Sequence, residues 1–308
     1  MTAPPFRAGI ATLVGRANTG KSSLLNALLG EQVAVVSSVA QTTRRPVRGI
    51  LNDDHLQIVF LDTPGIRQAS HSLSSMLNRT ARGLVTGSDV VVLLLDASLP
   101  PQAEDRGWMQ KLARETDPIF AVLNKIDLGL RRRAYEEAWA DVIAKNRTHT
   151  PDFSPPPLRW FETSAATAQG LPELHTALRQ AMPESPALFP TDMLTDDPQP
   201  FFIADVIRAQ INFRLKAELP HAIAVAVDQI DDTDELVTIR ATIYVEKSSQ
   251  RPIVIGKQGK MIRNIRHAAQ KDLAAIYDKP HRLELWVKVE PNWSRNYWLL
   301  KKFGYVNA

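Results

Sequence analysis

Through the first 180 residues, short apolar runs alternate with helical patterns. The runs fall at 10–14, 56–61, 90–95, 119–123 and 158–161, and the helical patterns at 21–29, 73–86, 103–114, 131–145 and 171–181. Runs that are apolar on both faces and separated by helices predict a parallel sheet covered on both sides. A further strand at 47–51 is expected to lie antiparallel at an edge. Residues 148–157 hold four prolines and read as a surface loop. From 184 to 200 the chain is rich in Pro, Asp and Thr, which makes this stretch the expected linker between a first domain, 1–183, and a second, 201–308.

Past that stretch the period changes. Residues 201–217 read as a helix, and 222–230 and 236–245 as strands. In the second strand Val237, Ile239, Ala241, Ile243 and Val245 alternate with Thr238, Arg240, Thr242 and Tyr244, so one face is buried and one is wet. A basic helix at 260–277, a strand at 282–290, a closing helix at 292–303 and a short turn near Ile253 complete an α-β-β-α-β-α unit of the α+β class.

The first apolar run feeds directly into Gly15-Arg16-Ala17-Asn18-Thr19-Gly20-Lys21-Ser22, which fits the pattern G-x-x-x-x-G-K-S/T. Strand, glycine loop and helix aim backbone N–H groups and a helix N-terminus at one point, and that point suits a polyphosphate. Gly15, Asn18, Thr19, Gly20 and Ser23 are expected to build the cradle. Lys21 is expected to reach the β and γ phosphates, and the Ser22 hydroxyl to ligate Mg²⁺. Asp62-Thr63-Pro64-Gly65 ends the next buried run, 41 residues after Lys21. A carboxylate there can hold Mg²⁺, and the Gly65 N–H can approach a γ-phosphate with no side chain in the way. Alone, D-T-P-G also describes a tight turn.

Asn124-Lys125-Ile126-Asp127 follows the run 119–123. Guanine offers N1–H and N2–H₂ as adjacent donors, and one carboxylate accepts both. Adenine would leave Asp127 buried without a partner, so the contact selects guanine by about 10⁴-fold or more. Asn124 is expected to brace neighbouring loops and the Lys125 stem to cover the base plane. Thr163-Ser164-Ala165 follows the last run, and backbone N–H groups of Ser164 and Ala165 are expected at the guanine O6. Between the first helix and the edge strand lies Gln41-Thr42-Thr43-Arg44-Arg45. The metal and γ-phosphate role is assigned to Thr43, with Thr42 as its competitor. Lys21, Thr43, Gly65 and Asn18 form the expected catalytic set.

Composition adds little until it is divided along the chain. The 308 residues are 44% hydrophobic and 23% charged, as in an ordinary globular protein. The absence of cysteine excludes disulfides, thiolate metal sites and cysteine nucleophiles. Residues 1–9 carry no apolar core for a signal peptide and the longest aliphatic run is too short to span a bilayer, so a soluble, cytoplasmic protein is expected. The net charge of +4 hides an asymmetry: residues 240–302 hold 14 Lys/Arg against 5 Asp/Glu, and the rest of the chain is net negative. A basic unit on a mildly acidic body suggests a polyanionic partner. Within it, Gly256-Lys257-Gln258-Gly259 lets a nucleic-acid backbone come close, with charge from Lys257, Lys260 and Arg263. The alternating strands beside it form a floor for about four unstacked bases.

GRANTGKS, QTTRR, DTPG, NKID and TSA, followed by VIGKQGKMI, LELWVKV and KKFGY, resemble the Era family of GTPases over essentially the whole chain. The resemblance implies a P-loop GTPase domain of the translation-factor type joined to a type II KH domain. It implies binding of GTP and GDP, slow hydrolysis, and a monomer. It also implies contact with small-subunit ribosomal RNA near its 3′ end, a role in small-subunit maturation, and peripheral contact with the inner membrane. The family's phosphate loop usually reads GRPNVGKS; Ala17 and Thr19 depart from it but spare the glycines, Lys21 and Ser22. Many GTPases carry a water-orienting glutamine directly after the D-x-x-G glycine. Here Ile66 stands there, and Gln68 is out of register. No arginine finger is assigned, although Arg44 and Arg45 lie in the switch segment. K⁺ held by Asn18 and switch-loop carbonyls is the cation considered for part of that work. Two other functions compete with a GTP-timed switch: a constitutive RNA-binding module whose nucleotide only stabilises the fold, and ATP-dependent RNA remodelling, which Asp127 disfavours.

Overall fold

The computed structural model describes residues 5–36, 44–65, 77, 81, 83, 85–115, 117–215, 219–277 and 279–306. The chain divides into two units, Met1–Ala34 with Pro46–Asp196, and Val35–Arg45 with Asp197–Ala308.

The first unit is built on a six-stranded sheet. Its strands are β1 (Arg7–Val14), β2 (Val47–Asp53), β3 (Leu56–Asp62), β4 (Val90–Asp96), β5 (Ile119–Asn124) and β6 (Leu158–Glu162), in the order β2-β3-β1-β4-β5-β6. All pairings are parallel except β2 with β3, so the edge strand expected at 47–51 is antiparallel. All seven residues of β4 are buried. Val90, Val92 and Leu94 enter a core with Leu24, Leu25 and Leu174, while Val91, Leu93 and Leu95 enter another with Trp108, Tyr135 and Trp139. That alternation is why the strand is apolar throughout: each parity has its own layer of helices. Helices α1 (Lys21–Leu29) and α4 (Leu171–Ala181) supply the first core; α2 (Ala103–Leu112) and α3 (Arg132–His149) supply the second. The helix expected at 73–86 falls mostly outside the described residues.

The stretch expected as a linker, 184–200, is ordered along this unit as far as Asp196. The buried Gln57 side chain uses both ends: Nε2 donates to Asn52 Oδ1 and the Phe189 carbonyl, and Oε1 accepts from the Leu188 and Phe189 N–H groups. The Ile50 N–H donates to the Leu194 carbonyl, which covers part of the exposed edge of β2. Proline-rich composition therefore marks an extended strap here rather than a free tether. A helix already begins at Gln199.

The second unit holds a three-stranded sheet of β7 (Ile223–Asp232), β8 (Val237–Val245) and β9 (His281–Val289). β7 and β8 are antiparallel, and β8 and β9 parallel. Helices α5 (Gln199–Arg214) and α7 (Lys260–Ile276) pack on it through Ile203, Ile207, Ile211, Ile265, Ala269 and Leu273. The short helices α6 (Arg251–Ile255) and α8 (Tyr297–Lys302) complete the expected element order.

Arg44 and Arg45 belong to this second unit. Arg44 Nη1 donates to the Ile223 carbonyl at 2.7 Å and its guanidinium lies over the Tyr305 ring. Arg45 forms a two-pronged pair with Asp197, stands 3.5 Å from Asp205 and lies over Phe201. Both are buried, so the structure accounts for them as packing and ion-pair residues of this unit. Contiguity in the sequence with Thr43 had suggested a switch position for them.

Candidate nucleotide site and nucleic-acid surface

In the first unit, the C-terminal ends of β1, β3 and β5 bring three of the sequence motifs together. Gly20 sits at φ 96° ahead of α1, and a Cβ on it would lie 2.4 Å from Asn124 Nδ2. Only glycine permits both the left-handed backbone and that approach. The N-terminus of α1 has no side-chain cap and no acidic residue in its first turn, which contains Lys21, Ser22 and Ser23. Its N–H groups and dipole are thus left to an anion.

Lys21 is buried. Its Nζ donates to the carbonyls of Arg16 at 2.9 Å and Gly15 at 3.3 Å. Burial pushes its pKa down to about 8, against the opposing pull of Asp62. Ser22 Oγ donates to Asp62 Oδ2 at 2.6 Å. A hydroxyl and a carboxylate converging beside a phosphate cradle are the hard oxygen donors Mg²⁺ takes, so these residues fit the ion. Thr63 Oγ1 donates to the Leu13 carbonyl at 2.8 Å and ties the D-T-P-G turn to β1. A Cβ on Gly65 would meet Ala17 Cα at 2.6 Å and Lys21 Nζ at 3.0 Å, so a side chain there would press on the phosphate loop. Thr19 is buried with its hydroxyl on the Arg16 carbonyl. Thr42, Thr43, Ile66 and Gln68 lie outside the described residues.

Asn124 braces two loops at once, as its place in the sequence suggests. Nδ2 donates to the Thr19 carbonyl at 2.9 Å, and Oδ1 accepts from the Ala165 N–H at 3.1 Å and from Thr163 Oγ1 at 3.3 Å. Lys125 has φ 67° and runs its Nζ to the Asn18 carbonyl at 2.6 Å, with Asp96 Oδ2 at 2.8 Å. Asn18, at the exposed tip of the phosphate loop, has φ 65°. Asp127 is exposed beyond the end of β5. One expectation needs correction in detail: the backbone donors expected at the guanine O6 are engaged within the protein, the Ser164 N–H with the Gln169 carbonyl and the Ala165 N–H with Asn124 Oδ1, and Ser164 Oγ accepts from the Thr167 N–H, so both residues shape the loop.

The expected residues missed Asp96 and Arg16. Asp96 follows six apolar positions at the end of β4, and that abrupt change was the available signal.

In the second unit, the G-x-x-G turn joins α6 to α7. Gly256 has φ 74°, and a Cβ on it would lie 2.6 Å from Met261 Cβ and 2.7 Å from Met261 N. Gln258 also has positive φ, 52°. Nothing lies within 4 Å of the Cβ position at Gly259, so that side of the turn is open. Lys257 and Lys260 are exposed, with no ion pair among the described residues. Arg263 instead donates to the Gln258 carbonyl at 3.0 Å and to the Gly259 carbonyl at 3.4 Å, so it holds the turn from within. Beside α7, a groove of about 690 Å³ runs along the edge strand β9, lined by Arg266, His267, Gln270, Arg282 and Trp286 among others. Trp286 is 50% exposed at a position where the strand pattern calls for a polar residue. An exposed aromatic among arginines has the chemistry to stack on an unpaired base. Among the described residues, no helix is long and apolar enough to cross a membrane.

Comparison with known proteins bears on both units. Residues 10–125 match the family described as "50S ribosome-binding GTPase", and residues 218–294 match the KH domain. The chain is 38% identical to "GTPase Era" of Geobacter metallireducens, covering 99% of this chain and 100% of the relative. It is 36% identical to "GTPase Era" of Leuconostoc citreum over 99% and 98%. It is similar to the crystal structure of an Aquifex aeolicus Era variant bound to GDP and AlF4⁻, with a TM-score of 0.83 and 32% identity over 98% of this chain and all of the other. The structure of an Era protein with MgGDPNP and nucleotides 1506–1542 of 16S ribosomal RNA gives a TM-score of 0.82, again at 32% identity and with 98% and 100% coverage.

Proposed function

The chain belongs to the Era family of GTPases, and on that premise we propose that GTP binding and hydrolysis in the first unit time the grip of the second unit on small-subunit ribosomal RNA near its 3′ end, during maturation of the small subunit. The observation that carries the nucleotide half is the bracing of the phosphate loop by Asn124 and Lys125, at 2.9 Å and 2.6 Å. These bonds set the base-reading residues at a fixed distance from the cradle, as one mononucleotide requires. In this reading Asp127 accepts from guanine N1–H and N2–H₂, the Lys125 stem lies on the base, and the loop of Ser164 and Ala165, held by Asn124, lies beside O6.

Gly15, Asn18, Thr19, Gly20, Lys21, Ser22 and Ser23 bind the phosphates through backbone N–H groups and the Lys21 ammonium. Ser22, Asp62 and Thr43 would hold Mg²⁺, which neutralises phosphate charge when bound. The Gly65 N–H reports on the γ-phosphate. Catalysis by these groups is positional and electrostatic, as phosphoryl transfer allows. Asn18 with K⁺ is the proposed source of added positive charge.

The RNA half is supported by the open G-x-x-G turn, the exposed Lys257 and Lys260, and the basic groove with Trp286. The 16S RNA in a full-length similar structure favours the small subunit over the large one. Residence in the cytoplasm as a monomer, with peripheral contact at the inner membrane, completes the family reading; cell fractionation tests it. The function itself is tested by RNA affinity with a GTP analogue and with GDP. A clear difference supports the timer. Equal affinities would make the second unit a constitutive RNA-binding module, since a ligand with no differential affinity switches nothing.

A further inference from the structure

We propose that Asp96 is a positioning residue for nucleotide binding: its single carboxylate sets both the base-covering Lys125 and the phosphate-loop residue Arg16. The inference rests on the reading of this site as a guanine-nucleotide pocket.

The geometry forms a closed circuit. Asp96 Oδ2 accepts from Lys125 Nζ at 2.8 Å and stands 3.7 Å from Arg16 Nη2. Lys125 Nζ then reaches the carbonyl of Asn18, two residues beyond Arg16 in the same loop. Arg16 Nε donates to Asp105 Oδ2 at 3.2 Å, and Asp105 is fully buried at the start of α2, where it also accepts from the Gln102 N–H. The other oxygen of Asp96 is fixed from behind, accepting from Ser98 Oγ at 2.5 Å and Ser98 N–H at 3.2 Å. Tyr135 anchors the same turn, its hydroxyl donating to the Asp96 carbonyl at 2.9 Å. The carboxylate therefore has one orientation.

Two consequences follow. Arg16 faces two carboxylates, Asp96 and Asp105, so its charge is compensated inside the protein. It shapes the loop; it is not an arginine finger. Lys125 in turn needs a fixed anchor, because a four-carbon stem lying across a base plane carries high rotamer entropy. Asp96 supplies that anchor and neutralises the ammonium. It also keeps Lys125 on the Asn18 carbonyl, which supports the positive φ of Asn18, a conformation that costs a non-glycine residue energy. One buried acid thus couples base recognition to the shape of the phosphate cradle.

The test is a mutant cycle on the full chain, read by the dissociation constant and off-rate of fluorescent GDP and by steady-state hydrolysis. Asp96→Asn keeps the shape and an acceptor for Ser98 but removes the charge. It is expected to weaken GDP about tenfold, raise KM similarly and leave kcat within about twofold, the pattern of lost ground-state binding. Lys125→Met is expected to weaken GDP as well, and Asp96→Asn on top of it to add little, because the two act as one unit. Ser98→Ala is the milder probe should Asp96→Asn fold poorly. Its expected loss is about threefold, and that loss vanishes in the Lys125→Met background. Additive effects, or Asp96→Asn and Ser98→Ala proteins that hold GDP like wild type, would overturn the inference while wild-type GDP binding keeps the pocket reading intact. A wild-type chain that binds no guanine nucleotide would instead overturn the pocket reading.

Discussion

Asn124 Nδ2 stands 2.9 Å from the carbonyl oxygen of Thr19, and this bond fixes the loop that follows β5 to the glycine loop that follows β1. Gly20, directly after Thr19, is the residue that makes the approach possible. Gly20→Ala would drive a methyl to 2.4 Å from that amide nitrogen and force alanine to φ 96°. The strain is worth about 1–3 kcal/mol, so GDP affinity should fall roughly 10- to 100-fold. Titration with fluorescent GDP measures it, and an affinity within about twofold of wild type would show that the bracing does not govern binding.

Lys21 gives the site a pH dependence with two opposite signs. Burial lowers its pKa in the nucleotide-free fold to about 8, from 10.5 in the unfolded chain. Phosphates require the ammonium. GDP affinity should therefore be level below about pH 8 and decline above it, by up to about tenfold per pH unit, with uptake of a proton on binding. Stability without nucleotide runs the other way. Between about pH 8 and 10.5 the unfolded chain binds the extra proton, so the Lys21 contribution to stability rises with pH. Calorimetry in buffers of different ionisation enthalpy, compared with Lys21→Met, reads the first effect. Denaturant melts of the same pair read the second.

The outline of this protein was legible because periodicity reports burial. The five parallel strands of the first sheet stand where the apolar runs stand, and the alternation in Val237–Val245 matches its buried and wet faces. The nucleotide motifs were legible because each needs residue types that little else explains, such as glycine at a clashing Cβ. What composition concealed was partnership across long separations. The proline-rich strap at 184–196 looks like a tether until Gln57 is found bonding to it, 131 residues away. Arg44 and Arg45 look like part of a phosphate-sensing loop until Ile223 and Asp197 are found beside them. Arg263 reads as a phosphate contact by charge, yet its guanidinium caps carbonyls of its own turn.

Lys257 and Lys260 are exposed beside the open face of the G-x-x-G turn. Replacing both with alanine should weaken RNA binding similarly for different sequences. It should also reduce the slope of log affinity against log salt by about 1.4, since each phosphate contact on single-stranded RNA contributes about 0.7. Filter binding across a salt series is sufficient. An unchanged slope would move the RNA contact away from this turn.

Asn18 sits at the tip of the phosphate loop with Lys125 on its carbonyl. If its side chain holds K⁺ near the transferring phosphate, single-turnover hydrolysis should be at least several-fold faster in K⁺ than in Na⁺ for wild type, and Asn18→Ala should remove the difference. A finger-like cation is worth up to about 10³–10⁵ in rate. Identical rates in both salts for wild type would exclude this cation from the reaction.

The account turns on a pocket that selects guanine through Asp127, and calorimetry with purified, magnesium-loaded protein addresses it most directly. GDP should bind at least about 10⁴-fold more tightly than ADP, and Asp127→Asn should lose GDP while gaining xanthosine diphosphate, whose C2 carbonyl now meets an amide donor. ADP held as firmly as GDP by the wild-type chain would contradict it.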